Sequence, residues 1–188
     1  MNKAIHVIGN GTSRIDYDLA SLVGVTIGCN AIHRDFTPDI LCCADERMVE
    51  EAQHNAFTNP IYTRVEWNKK LNAEPFAPKP YIGDKKWDNP WHWNTGPHAI
   101  NLACQLYDED CDIHLIGFDF VQEGVYNNVY KNTKNYNNQP VDPTHWYHQI
   151  GKLIGSFPNH TFIWHTLKTY ICPQDWISHK NFIIKKNP

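Results

Sequence analysis

The apolar residues of the chain fall into short runs that end at glycine, asparagine or aspartate. The first run, residues 4–8 (AIHVI), stops at a glycine turn, and five more predicted strands follow at residues 23–29, 39–44, 59–63, 112–117 and 161–165. Short apolar runs bounded by turn residues are typical of buried strands.

Longer segments with helical character lie between these runs, at residues 46–55, 95–106 and 143–157. Thr95 can cap the second helix, and Pro97 suits its first turn, where no backbone donor is needed. Strands that alternate with helices predict a mostly parallel sheet covered on both faces. The pattern therefore predicts a Rossmann-like α/β fold, with residues 1–188 as one domain.

Two segments interrupt this alternation. Residues 64–94 are rich in Pro, Trp, Lys and Asn and are too long for a plain connection. This predicts an inserted segment whose aromatic side chains pack against the rest of the protein. Residues 121–142 include an asparagine-rich stretch and predict a small lid loop.

Ligands of such sheets bind beyond the carboxyl ends of the strands. The residues that follow the predicted strands are therefore nucleotide-binding candidates: Gly9, Asn10, Gly11, Thr12, Ser13, Asn30, Asp45, Gly117 and Asp119. Backbone N–H groups of the first loop could cradle a phosphate, or the loop could be a plain glycine turn. Asn30 and Asp45 could bond a ribose or a base edge, or act as caps and Asx turns. Asp119 could hold a loop or a ligand hydroxyl.

Composition narrows the function classes. The net charge of −3 argues against a nucleic-acid-coating surface, and no apolar run reaches the roughly 18 residues of a membrane span. The first residues run directly into a strand pattern, and the six cysteines form no CxxC pair, so we expect a cytoplasmic protein. Seven tryptophans and many asparagines suit a polar ligand. The composition is also compatible with a homo-oligomer.

The catalytic candidates are two histidines and the tyrosines of the asparagine-rich loop. His145 and His148 stand three residues apart and can share a helix face. Three interpretations are open: one of them is a general base, both are a packed or surface pair, or both bind a metal ion together with Asp142. Tyr126 and Tyr130 could donate to a departing phosphate, or simply belong to a loop.

Four motifs in order resemble the bacterial sialyltransferases of glycosyltransferase family 42. They are Ile8-Gly9-Asn10-Gly11-Thr12-Ser13, then Ile27-Gly28-Cys29-Asn30, then Thr95-Gly96 opening a helix, then Leu115-Ile116-Gly117-Phe118-Asp119-Phe120. The wider group, which includes archaeal hydroxymethylpterin pyrophosphokinase-like proteins, shares this order. Its members often have an aspartate on each side of the third strand, as Asp39 and Asp45 are here. The resemblance covers about residues 4–165.

The resemblance implies an inverting, metal-independent transfer from a CMP-sugar to a glycan or small-molecule acceptor, with no cofactor. It implies that Asn10, Gly11, Ser13 and Asn30 contact the nucleotide, that Thr95 and Gly96 bind donor sugar or phosphate at a helix N-terminus, and that His148 or His145 is the base, with Tyr126 or Tyr130 steadying the phosphate.

The chain departs from the family at Thr12, where the family has proline, and at Val121, where it has a tyrosine. Two alternatives remain open. One is an ATP/Mg²⁺-dependent pyrophosphokinase-like transferase with Asp45 and Asp119 on the metal. The other is a non-catalytic nucleotide-binding protein.

Overall fold

A computed structural model describes residues 2–107, 109–119, 128–136, 142–167 and 170–187. Its strands are β1 (Lys3–Ile8), β2 (Val25–Cys29), β3 (Ile40–Cys42), β4 (Ile61–Thr63), β5 (Glu74–Pro75), β6 (Cys111–Ile116), β7 (Thr161–Leu167) and β8 (Phe182–Asn187). Its α-helices are α1 (Glu46–His54), α2 (Val65–Asn68), α3 (Thr95–Gln105), α4 (Thr144–Ser156) and α5 (Gln174–Ile177). The predicted α/β fold is confirmed, and the three predicted helices end within a residue or two of their expected bounds.

All eight strands form one parallel sheet in the order β5-β4-β3-β2-β1-β6-β7-β8. The chain first builds outward from β1 to β5 and then crosses over to start again at β6, on the other side of β1. The strand order therefore reverses between β1 and β6. A reversal of this kind opens a crevice at the carboxyl edge of the sheet, where α/β proteins bind ligands.

The strands are apolar because both faces of the sheet are covered over much of its width. One face packs under α3, α4 and α5, with Ile5 and Val7 of β1 pointing into it. The other packs under α1 and a 3-10 turn at Asn30–Arg34, with Ile8 and Leu41 on that side. Side chains of a strand alternate between the faces, so the near-continuous apolar runs follow from two-sided burial.

The segment predicted as an insertion, residues 64–94, contributes to the sheet as well as lying beside it. It contains α2, the edge strand β5, which pairs with β4, and two 3-10 turns at Lys86–Asp88 and Pro90–His92. Its aromatic residues differ in burial: Trp93 is fully buried, whereas Trp91 is half exposed. A two-residue strand ending in proline is too short to leave a periodic pattern, which explains why the sequence does not reveal it.

The last strand, β8, was also not predicted from the sequence. It is an edge strand that pairs with β7 and carries two lysines, and Ile183 remains half exposed. Charged side chains are common on edge strands, and they interrupt the apolar run by which a strand is recognised in the sequence.

Only part of the predicted lid loop is described. Within residues 128–136, Val129 N–H donates to the Asn10 carbonyl at 2.9 Å, so this stretch lies against the loop after β1. In the described part of the chain, no helix has both the length and the apolar character that crossing a membrane requires.

Candidate functional site

A cavity of about 580 Å³ opens at the carboxyl edge of the sheet, over the reversal point. Ligand pockets commonly measure about 300–1,000 Å³. Its wall contains all of the predicted nucleotide-binding residues except Thr12 and Ser13: Gly9, Asn10, Gly11, Asn30, Asp45, Thr95, Gly96, Gly117 and Asp119. The rule that ligand residues follow the strands therefore accounts for four segments of one site, and the start of α3, which the resemblance suggested, is the fifth.

The glycines after β1 and β6 are needed where two turns cross. Gly9 N–H donates to the Ile116 carbonyl and Gly11 N–H donates to the Gly117 carbonyl, both at 2.8 Å. A Cβ at Gly9 would lie 2.5 Å from the Gly117 oxygen, and Gly117 itself has a left-handed φ of 70°. Both loop N–H groups are thus already bonded, so the expected phosphate cradle is not available from Gly9 and Gly11.

Asp119 holds the first loop rather than pointing an unbonded carboxylate at a ligand. Ser13 donates to it twice, from its backbone N–H at 2.6 Å and from its hydroxyl. Burial raises the pKa of Asp119, and the bonds from Ser13 offset this only in part. Of the two roles considered for this residue, the contacts favour the structural one.

Thr95 and Asn30 connect α3 to the ends of β2 and β3. The Thr95 hydroxyl accepts from Ala44 N–H and donates to Asn30 Oδ1, both at 3.0 Å. Asn30 adopts a left-handed φ of 51°, which an asparagine tolerates better than most residues. Because the carbonyl of its amide receives Thr95, the Nδ2 group of Asn30 is the end left for a ligand.

The N-terminus of α3 enters the cavity without a side-chain cap. The N-cap residue is Asn94, one position before the expected Thr95, and among the described residues no side chain accepts a hydrogen bond from the first turn of α3. Thr95, Gly96 and Pro97 all lie on the cavity wall. The unpaired N–H groups of a helix start and the helix dipole favour an anion at this position.

Arg64 is a cation of this wall that the sequence analysis missed. Its guanidinium donates to the carbonyls of Trp91, at 2.5 Å, and Trp93, at 2.9 Å, and lies over the Trp91 ring. Burial lowers the pKa of Arg64, and within the described ranges no carboxylate comes within 4.0 Å of it. Arg64 directly follows β4, so it also fits the rule that ligand residues lie just beyond the carboxyl ends of strands.

Further residues of the wall come from positions that no strand-end rule selects. Arg47 comes from α1, and Trp146 and Ile150 come from one face of α4. The loop of residues 128–136 contributes Tyr136, whose hydroxyl accepts from Asn10 Nδ2 at 3.2 Å. The remaining members are Cys29, Ala44, Asn94, Pro97, Phe118, Asn128 and Asn135.

The structure does not bring His148 to the cavity. Its Nε2 lies 2.7 Å from Asp88 Oδ1, and the ring stands edge-on to Trp87. A helix turns by about 100° per residue, so His148 lies about 200° around α4 from Trp146, which does face the cavity. His145 is half-buried beside Trp146, where burial lowers its pKa, but it is not part of the wall either.

The tyrosines assigned to the departing phosphate are placed differently. Tyr130 is buried, and its hydroxyl donates to Asp35 Oδ1 at 2.5 Å and accepts from Arg14 at 2.6 Å. Burial and this carboxylate raise its pKa. Tyr130 therefore fastens the loop to the body of the domain. Tyr126 lies outside the described residues.

In the described part of the chain, no group of three or more His, Cys, Asp or Glu side chains could hold a metal ion. The pair expected for Mg²⁺, Asp45 and Asp119, is a poor fit because both oxygens of Asp119 accept from Ser13.

No family model matches the chain, and no curated protein or solved structure is detectably similar to it.

Proposed function

We propose that this protein binds a nucleotide at the carboxyl edge of its sheet and uses it as the donor of a transfer reaction. The observation that carries the proposal is the meeting of the uncapped start of α3 with Arg64 in one cavity at the reversal point. Among the described residues no carboxylate lies within 4.0 Å of the Arg64 guanidinium, and such a guanidinium together with a helix N-terminus forms a site for a phosphate.

The cavity is polarised along the sheet edge. Amide and hydroxyl groups of Asn10, Asn30 and Tyr136 lie at the β1–β2 end, whereas Arg64 lies at the end of β4. Three strand spacings, about 14 Å, separate β1 from β4. Neutral hydrogen-bonding groups suit a base and a ribose, and the cationic end suits the phosphate and the group attached to it.

The most specific form of the proposal is glycosyl transfer from a CMP-sugar, as the sequence resemblance implies. A departing nucleotide phosphate gains negative charge, which preorganised donors stabilise most in the transition state. The start of α3 and Arg64 are such donors. They take the role that the resemblance assigned to tyrosine hydroxyls, and they do so without a metal ion.

A binding experiment tests the proposal. Isothermal titration with CMP, UMP, GMP, AMP, CMP-sialic acid and ATP with Mg²⁺ should give a metal-independent response, strongest for the cytidine ligands. Arg64→Gln should weaken that binding by about 10–100-fold, the loss of one charge-assisted contact. The matched control is Lys70→Gln, an exposed cation paired with Glu46 that should leave affinity unchanged.

The alternatives predict different results in the same titration. A response to ATP that requires Mg²⁺ would favour the pyrophosphokinase-like class. Tight CMP binding with no turnover of any CMP-sugar would favour a non-catalytic nucleotide-binding protein. No binding of any ligand would contradict the proposal.

A further inference from the structure

Asp45 occupies a capping position that its side chain does not use. It is the N-cap residue of α1, and its backbone carbonyl accepts from Met48 N–H and Val49 N–H, but its carboxylate accepts no capping hydrogen bond. An aspartate at an N-cap usually stabilises its helix by accepting hydrogen bonds from the first turn. The carboxylate is instead exposed on the cavity wall.

Three other acid–base side chains, Asp119, His148 and Glu46, already have partners, and His145 is not part of the wall. Ser13 bonds both oxygens of Asp119, and His148 bonds Asp88 on the far side of α4. Glu46, the neighbour of Asp45 in the chain, pairs with Lys70. Within the described residues, Asp45 is the carboxylate of the wall that no side chain or backbone donor holds.

The surroundings of Asp45 fit a reaction centre. Arg47, Arg64 and the start of α3 line the same cavity as Asp45, so the proposed phosphate site and this carboxylate share one wall. Asp45 attracts Arg64 electrostatically, but among the described residues the two side chains do not form an ion pair within 4.0 Å. An acceptor hydroxyl could therefore approach a donor sugar there and reach the carboxylate.

We infer that Asp45 is the general base of the transfer, an inference that rests on the proposed function. As the acceptor hydroxyl attacks the anomeric carbon, its proton passes to the Asp45 carboxylate and the new C–O bond forms. The bond from the anomeric carbon to the phosphate oxygen breaks, and its electron pair leaves with that oxygen of CMP. The nucleotide departs toward Arg64 and the start of α3, with no change of oxidation state.

The test uses release of CMP from CMP-sialic acid, with water as the acceptor, so that no glycan has to be identified first. Asp45→Asn should lower kcat by about 10²–10⁴-fold, the usual contribution of a general base, and leave the Kd for CMP within threefold. Glu46→Gln, a neutralised carboxylate one residue away, should keep the wild-type rate.

Rescue separates a base from a binding residue. Azide attacks without having to lose a proton, so added azide should restore CMP release in Asp45→Ala and yield a glycosyl azide, with little effect on the wild type. An Asp45→Asn variant at the wild-type rate would overturn the inference. So would a loss of CMP affinity that accounts for the whole loss of rate, because Asp45 would then bind the ligand.

The two proposals fail in distinguishable ways. A wild-type protein that does not bind CMP overturns the proposed function, and the role of Asp45 falls with it. A wild-type protein that binds and cleaves CMP-sialic acid, with Asp45→Asn equally active, overturns only the role of Asp45.

Discussion

The two ends of the cavity use their polar groups in opposite ways. At the β1–β6 end, the N–H groups of Gly9 and Gly11 and the carboxylate of Asp119 all bond to other parts of the protein. At the β3–β4 end, the start of α3 is uncapped, no carboxylate of the described residues lies within 4.0 Å of Arg64, and the side chain of Asp45 does not cap α1. The glycine loop, the most conspicuous motif, is therefore structural, and single residues after β3 and β4 carry the unused bonding capacity.

This difference predicts that substitutions at the two ends separate into stability effects and ligand effects. A residue of the β1–β6 end that changes only ligand binding, or a residue of the β3–β4 end that changes only stability, would contradict it.

Gly9→Ala should destabilise the fold most, by about 3 kcal/mol. The new Cβ would clash with the Gly117 carbonyl oxygen, and backbone atoms packed this closely cannot move apart easily. Chemical denaturation measures the change. The control is Gly151→Ala in α4, where the nearest contact is the Trp176 side chain at 3.3 Å and the cost should stay within about 1 kcal/mol. Equal stability of Gly9→Ala and wild type would show that the crossing is not rigid.

Asp119→Asn should cost about 2 kcal/mol, since it removes the charge that accepts two hydrogen bonds from Ser13. The measurement is again the free energy of unfolding, together with the Kd for CMP under conditions where the variant is fully folded. A variant as stable as wild type but unable to bind nucleotide would place Asp119 with the ligand residues instead.

Acid should weaken the β6–β7 part of the sheet through its histidines. His114 and His165 are hydrogen-bonded to each other at 2.8 Å, and burial lowers the pKa of each to about 4. The unfolded chain, with the usual value near 6.5, binds more protons between these limits, so stability is retained above pH 6.5 and falls as the pH drops toward 4. The Tm measured from pH 7.5 to pH 4 should show this, and His114→Asn should flatten the slope. An unchanged slope in that variant would assign the acid sensitivity to other groups.

Asp45→Asn should change stability least, by less than about 0.5 kcal/mol, because the side chain is exposed and caps nothing. It is the matched partner of Asp119→Asn, one carboxylate neutralised at each end of the same cavity. A loss of 1 kcal/mol or more on denaturation would mean that Asp45 does cap α1 in solution, and the contrast between the two ends would disappear.

Much of the architecture could be predicted because apolar runs and strand-end residues reflect local physics. Residues 4–8 form a strand since both faces of that strand are buried, and Asn30 and Asp45 reach the cavity since parallel strands end at one edge. Arg64 follows β4, a strand of only three residues, whose carboxyl end is hard to locate in the sequence. The strands β5 and β8 were missed because edge strands need no apolar face on both sides.

The histidines show where sequence reasoning ends. His148, a predicted base, and Trp146, which the sequence did not single out, are two residues apart. Only the rotation of α4 about its axis decides that Trp146 faces the cavity and His148 meets Asp88.

The sequence alone determines the alternation of strands and helices, and with it the parallel sheet and the edge at which polar residues collect. These follow from hydrophobic periodicity and turn chemistry, which act over a few residues. The tertiary structure decides which of those polar residues are already bonded. The contacts that occupy Gly9, Ser13, Asp119 and His148 join residues 60 to about 110 positions apart, and no local pattern encodes them.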